Sequence, residues 1–161
     1  MREIIEQINA PLPACILSEK KLKALLGTPD EPMKKVFVCS PYAGCVKQNV
    51  QNARMFSRFV FLCGRMPITP HLLYPRFLED RKPVERDAGI RMGLMLLDVC
   101  DELWAFGPAV SSGMKREIAY AIAHGIPVRY FNNECKEVKK RARKRNIPQE
   151  LADGGRRIEL D

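Results

Sequence analysis

Two short runs made wholly of apolar residues, Val36-Phe37-Val38-Cys39 and Leu103-Trp104-Ala105-Phe106, constrain the fold of this chain more than any other feature. A strand with one wet face alternates apolar and polar residues. A run with no polar position must be covered on both sides. The intervening sequence supplies the cover. An amphipathic helix is predicted from Asn49 to Cys63, with Val50, Ala53, Phe56, Val60 and Cys63 at helical spacing and Gly64 as its stop. A second is predicted from Arg86 to Val99, turning Ile90, Leu94 and Leu97 inward, and a third from Ser112 to His124. Met66–Thr69 and Ile126–Phe131 are the remaining strand candidates. Strands alternating with helices predict an α/β fold, a Rossmann-like or flavodoxin-like parallel sheet with helices on both faces. Such sheets bind ligands beyond the carboxyl ends of their strands. That singles out the loops 40–45, 69–80 and 107–113.

The 161 residues suffice for one ordinary core, and 46% hydrophobic with 29% charged residues excludes a disordered chain. The expected organisation is a helical N-terminal extension over 1–33, an α/β core over 34–133 and a basic C-terminal extension over 134–161. In the first, Ile4, Ile5 and Ile8 share one helical face and Leu22, Leu25 and Leu26 another, with prolines between. No apolar stretch reaches the roughly 18–20 residues that cross a bilayer, so no membrane partner is expected. Acidic residues stand where a signal peptide would be apolar, and a cytoplasmic location is expected. The six cysteines form no Cys-x-x-Cys pair, and only His71 and His124 could assist them, so neither a metal nor a cofactor is expected. Cys39, Cys63 and Cys100 lie in apolar segments, where a thiol acts as a small hydrophobe. The net charge of +8 is concentrated in Lys136–Arg145, which holds seven basic residues against one acid. Such a run can bind nucleic acid, but without interleaved aromatics for base stacking a solvated helix face is favoured.

The segment Ser111-Ser112-Gly113-Met114-Lys115-Arg116-Glu117 carries the chemistry. It follows the apolar run that ends at Gly107-Pro108 and opens a helix with serine hydroxyls, whose oxygens accept first-turn amides. Those amides and the helix dipole also suit a phosphate. Glu117 falls about one turn further on. A carboxylate beside a phosphate-sized cradle points to chemistry on a nucleotide or sugar phosphate; a serine-capped helix with a solvated glutamate is the alternative.

In order and spacing, Ser40-Pro41-Tyr42 after a strand, Pro70-His71, Cys100-Asp101-Glu102-Leu103-Trp104, Ser111-x-Gly113-x-x-x-Glu117 and Gly125-Ile126-Pro127-Val128 resemble the nucleoside 2-deoxyribosyltransferase-like superfamily over residues 35–131. The resemblance implies that Glu117 attacks the anomeric carbon of the sugar and displaces the base, with Tyr42 beside it. It implies a 5′-phosphorylated substrate, because Ser111 stands where transferases of free nucleosides carry an Asp that would repel a phosphate. Ser40, His71, Arg91, Ser112 and Gly113 are the further candidates for holding substrate, with Arg86 the alternative to Arg91 for additional phosphates, and Asp101 is expected to be a structural cap. The chain departs from the pattern at Gly93, where the enzymes carry an Asp, and at Lys115, where they carry a small residue. Three functions follow: an N-glycosidase or deoxyribosyltransferase acting on a nucleotide, a nucleotide-sensing module without turnover, and a nucleic-acid-associated protein acting through the basic tail. A homodimer is expected through the 86–99 helix, where Met92, Met95 and their neighbours spread apolar surface beyond one face.

Overall fold

The computed structural model describes residues 16–26 and 32–138. The helical face through Ile4, Ile5 and Ile8 and the basic residues beyond Val138 lie outside the described residues. Helix α1 (Glu19–Leu26) precedes β1 (Lys35–Cys39), α2 (Val46–Leu62), β2 (Met66–Ile68), α3 (Pro83–Asp98), β3 (Glu102–Phe106), α4 (Ser112–Ala123) and β4 (Val128–Phe131). Two 3-10 turns, Pro70–Leu72 and Tyr74–Arg76, occupy the proline-interrupted connection between β2 and α3. Neighbouring strands pair in parallel in the order β2-β1-β3-β4, the doubly wound order expected of a flavodoxin-like sheet. Helix α3 starts earlier than the Arg86 predicted from pattern. Pro83 opens it, since proline's fixed φ suits a first turn and its missing N–H would have gone unpaired there.

The two central strands are covered on both sides, as their composition requires. Val36, Val38, Trp104 and Phe106 face α2 and pack with its Phe56, Phe59 and Val60. Phe37, Cys39, Leu103 and Ala105 face the other way, against Leu97 of α3 and Met114, Ile118 and Ala121 of α4. On the α2 side the rings are in direct contact. Phe56 stacks on Phe106 at 4.4 Å between centroids, and Phe106 on Phe131 at 5.0 Å. Asp101 ties the sheet together at its amino end: its carboxylate accepts the Lys35 N–H at 2.6 Å, and its own N–H donates to the Lys35 carbonyl at 2.8 Å.

Both flanking segments meet the core. The Leu17 N–H donates to the Leu62 carbonyl at 2.8 Å, and Leu17 and Leu25 cover Gly64. Gly64 has φ +71°, a conformation that favours glycine, and a Cβ there would come within 2.6 Å of Leu17 Cδ1 and displace that side chain. At the other end the chain continues along β4 past residue 133, where the sequence placed the core boundary. Cys135 is buried among the α2-side residues, and the Val138 N–H donates to the Tyr130 carbonyl at 2.8 Å. The Arg129 guanidinium donates to Glu137 at 2.7 and 2.9 Å and lies 4.6 Å over the Trp104 ring.

Phe56→Ala removes the ring at the centre of the aromatic stack and leaves a cavity between α2 and β3. A loss of about 3–5 kcal/mol in urea unfolding is expected, with the strand order retained.

Candidate functional site

The crossover from β1 turns toward β2 and the crossover from β3 turns toward β4. The two connections diverge and leave a crevice beyond the carboxyl ends of β1 and β3. A cleft of about 140 Å³ opens there, with Tyr42, His71, Tyr74, Arg86, Ile90 and Glu117 among its walls. One wall comes from the loop after β1, one from the 3-10 turns after β2, one from the start of α3 and one from α4.

Short-range bonds hold each wall. In the loop after β1, the Asn49 side-chain amide donates to the carbonyls of Tyr42 and Ala43 at 3.0 and 2.9 Å, fixing the turn that carries Tyr42. Gly107, at φ +117°, lets the loop after β3 pass close to Pro41 in that turn. After β2, the hydroxyls of Ser57 and Thr69 are 2.7 Å apart, anchoring the approach to His71. Ser40 is buried, and its Oγ lies 2.9 Å from His71 Nε2. The Tyr42 and His71 rings are 6.5 Å apart. Ser111 is the N-cap of α4 and its Oγ accepts the Met114 N–H at 3.3 Å, which sets the helix so that Glu117, one turn on, meets the cleft.

Burial governs the electrostatics. It raises the Glu117 carboxyl from 4.5 to about 7, opposed by a hydrogen bond from the Cys39 thiol. The same pairing, on top of burial, pushes the Cys39 thiol well up, so it remains a donor at neutral pH. Among the described residues the Glu117 carboxylate forms no ion pair, its neighbours Lys115 and Arg116 included. His71 is lowered by burial to about 4 and is therefore neutral at physiological pH. A carboxyl poised near neutrality, opposite a neutral imidazole and two phenols, can act as a nucleophile or exchange a proton.

Of the residues singled out from sequence, Glu117, Tyr42 and His71 line the cleft, and Ser40 adjoins it through His71. Ser111, Ser112 and Gly113 sit at the start of α4 and are not among the cleft walls; Ser112 and Gly113 are exposed. Arg91 is exposed on α3 and does not line the cleft either, whereas Arg86 does, 3.8 Å from Asp80. The helix turns Arg91 away while Ile90 faces inward, an orientation a basic residue's position in sequence does not reveal. Cys39 is a buried core residue, as its apolar run suggested. Sequence reasoning missed Tyr74, which was hidden in a connection whose 3-10 turns carry no periodicity.

The parallel sheet with its covering helices has the α/β fold of deoxyribosyltransferase-like structures. The structure is similar to that of the 2-deoxyribosyltransferase from the psychrotolerant bacterium Bacillus psychrosaccharolyticus, with a TM-score of 0.53 and 15% identity over 65% of this chain and 77% of that one. The 2-desoxiribosyltransferase from Leishmania mexicana gives a TM-score of 0.45 and 18% identity, over 62% of this chain and 64% of that one. No curated protein matches the chain in sequence. The chain belongs to the family described as a domain of unknown function, DUF7768, whose model matches residues 34–131. No helix among the described residues is long and apolar enough to cross a membrane.

The raised Glu117 value has a consequence for stability. Between about 4.5 and 7 the folded chain holds a proton that the unfolded chain has released, so this group's contribution falls as pH rises through that window. Glu117→Gln removes the effect. At pH 8 the variant is expected to be more stable than wild type by on the order of 1 kcal/mol, an advantage that fades below pH 4.5 in thermal melts across pH.

Proposed function

We propose that this protein breaks the N-glycosidic bond of a nucleoside or deoxynucleoside 5′-phosphate, with Glu117 as nucleophile and Tyr42 beside it. The observation that carries this reading is Glu117 itself: a carboxyl without a counter-cation, at the mouth of a cleft walled by Tyr42, His71 and Tyr74. A charged carboxylate bound in an ion pair would be a poor nucleophile; this one is not so bound. Its oxygen attacks the anomeric carbon, the base departs with the electrons of the glycosidic bond and takes up a proton, and a glycosyl ester remains. Water then cleaves the ester in a hydrolase, and a second base does so in a transferase. The 2-deoxyribosyltransferase of similar fold supports sugar transfer between bases as the reaction class.

The phosphate is assigned to the start of α4. Gly113 lies one helical turn, about 6 Å, before Glu117. A sugar over the carboxylate would therefore put its 5′-substituent near the free amides of Ser112 and Gly113. Arg86 is the cation among the residues lining the cleft. Nucleotide binding without turnover is the second reading, and Gly93 favours it. Gly93 is buried, yet a Cβ there would meet nothing within 4 Å, so α3 sends no carboxyl toward the space beside it.

A homodimer through α3 accompanies this reading. Val84, Met95 and Val99 are 80%, 61% and 55% exposed at spacings that keep them, with Ala88, on one helical stripe.

Incubation with a panel of nucleoside 5′-monophosphates, followed by detection of free base, tests the assignment. Wild type is expected to release base, and Glu117→Gln to lose at least a thousandfold in rate while binding within a few fold. Binding by both proteins with release by neither establishes the sensing module instead. Ser111→Asp preserves the helix cap, because aspartate caps as well as serine, and adds charge at the helix start. It is expected to weaken a 5′-monophosphate tenfold or more in calorimetry and the free nucleoside little; equal losses would move the phosphate elsewhere.

A further inference from the structure

We propose that Ser40 is a positioning residue for His71, holding the imidazole as its Nδ1–H tautomer so that the ring presents a hydrogen-bond donor to the base of a bound nucleotide. The inference rests on the nucleotide reading of the cleft. Its geometry begins in the sheet. β1 and β2 run parallel with Phe37 opposite Ile68, and Ser40 and His71 each lie three residues beyond that pair. The two segments leave the sheet side by side, and Ser40 Oγ meets His71 Nε2 at 2.9 Å. The approach to His71 is held as well. The Ser57 hydroxyl donates to the Ala53 carbonyl at 2.8 Å and so accepts from Thr69 at 2.7 Å. Pro70 follows, buried, its ring fixing φ at the start of the 3-10 turn that carries His71.

Burial of Ser40 decides which atom of the pair donates. Among the described residues the Ser40 hydroxyl has no hydrogen-bond partner besides His71. Were the hydrogen on Nε2, the Ser40 O–H would be a buried donor without an acceptor, a costly arrangement. With Ser40 donating to the Nε2 lone pair, both groups are satisfied. A neutral imidazole whose Nε2 accepts carries its hydrogen on Nδ1. Burial keeps this ring neutral at physiological pH. Nδ1 itself has no partner among the described residues. No buried side-chain nitrogen or oxygen among them lacks one, so Nδ1 reaches open space, and the space that His71 lines is the cleft.

A neutral N–H donates without bringing charge and without giving up its proton. The acceptor it suits is a ring nitrogen or carbonyl oxygen of a base; a phosphate is better matched by charged donors. As the glycosidic bond breaks, the departing base gathers electron density on those same atoms, and the hydrogen bond strengthens. The other polar walls act differently. Asp80 and Glu85 only accept when ionised, Arg86 lies 3.8 Å from Asp80, and the phenols of Tyr42 and Tyr74 can turn to donate or accept. His71 has its direction of donation fixed from behind, by Ser40.

The test reads the His71 ring nitrogens by two-bond ¹H–¹⁵N correlation at neutral pH in the labelled full chain, with His71 assigned by its absence from His71→Asn. Wild type is expected to show Nδ1 protonated and Nε2 bare, and Ser40→Ala to populate the Nε2–H form. Ser40→Thr, which keeps the hydroxyl, is expected to hold the wild-type pattern. Protonated Nε2 in wild type, or an unchanged pattern in Ser40→Ala, would overturn the proposal. Calorimetry with 2′-deoxynucleoside 5′-monophosphates tests the contact with the base, and 2-deoxyribose 5-phosphate, which has no base, is the control. His71→Phe is expected to bind the nucleotide about tenfold more weakly than wild type and the sugar phosphate equally well. His71→Asn, whose amide nitrogen is as many bonds from Cα as Nδ1, is expected to recover most of the loss. Equal losses for the two ligands, or no nucleotide binding by wild type, would overturn the base contact. Absence of base release from wild type, with tautomer and affinities as expected, would overturn glycosidic cleavage and support the donor assignment.

Discussion

Parallel pairing of β1 with β3 is the constraint on which the rest of this molecule depends. Four register pairs, from Val36 with Glu102 to Cys39 with Ala105, bring together strands separated by more than sixty residues. Both strands are sealed by aromatic packing on one face and by α3 and α4 on the other. Their ends must then coincide, and the loops that leave them diverge. A crevice at that place follows from topology, before any residue chemistry is considered. Asp101 secures the amino end of the pairing with two short hydrogen bonds to Lys35, which pins the register of β1 against β3.

The site built on this frame is unusual for what it omits. Many buried carboxylates are paired with a cation, which costs less than isolated burial. Glu117 has no such cation among the described residues, and burial raises its proton affinity. The neutrality of His71 belongs to the same design. A charged imidazole this close would draw the carboxyl down and change the chemistry available to it. Burial keeps the ring neutral, and the bond to Ser40 orients it.

The flanking segments extend the core rather than decorate it. Leu17 and Leu25 close over Gly64, and the chain after β4 turns back to bury Cys135 and hold Arg129 over Trp104. The family match ends at residue 131, whereas the packed structure continues to Val138. The cation–π contact and the Glu137 pair cover the open side of β4, which would otherwise present an unpaired strand edge.

Much of this fold was legible in the order of residues alone. Continuous apolar runs at 36–39 and 103–106 can exist only as strands covered on both faces, and the 3.6-residue periodicity between them supplies the covering helices. The serine start of α4 and the turn-length distance to Glu117 were likewise legible, because caps and helical rise are local properties. Three things were decided only in three dimensions. Arg86 rather than Arg91 faces the cleft, because the rotation of α3 is set by packing on Leu97 and not by charge. Tyr74 enters through 3-10 turns that have no periodic signature. Tyr42 and Glu117 line one cleft although 75 positions separate them in the chain, because β1 and β3 pair and the loops beyond them open on the same crevice. Sequence reports local conformation and the need for burial; which side chains meet across a crossover is set by register and helix rotation, and these exist only in the folded chain.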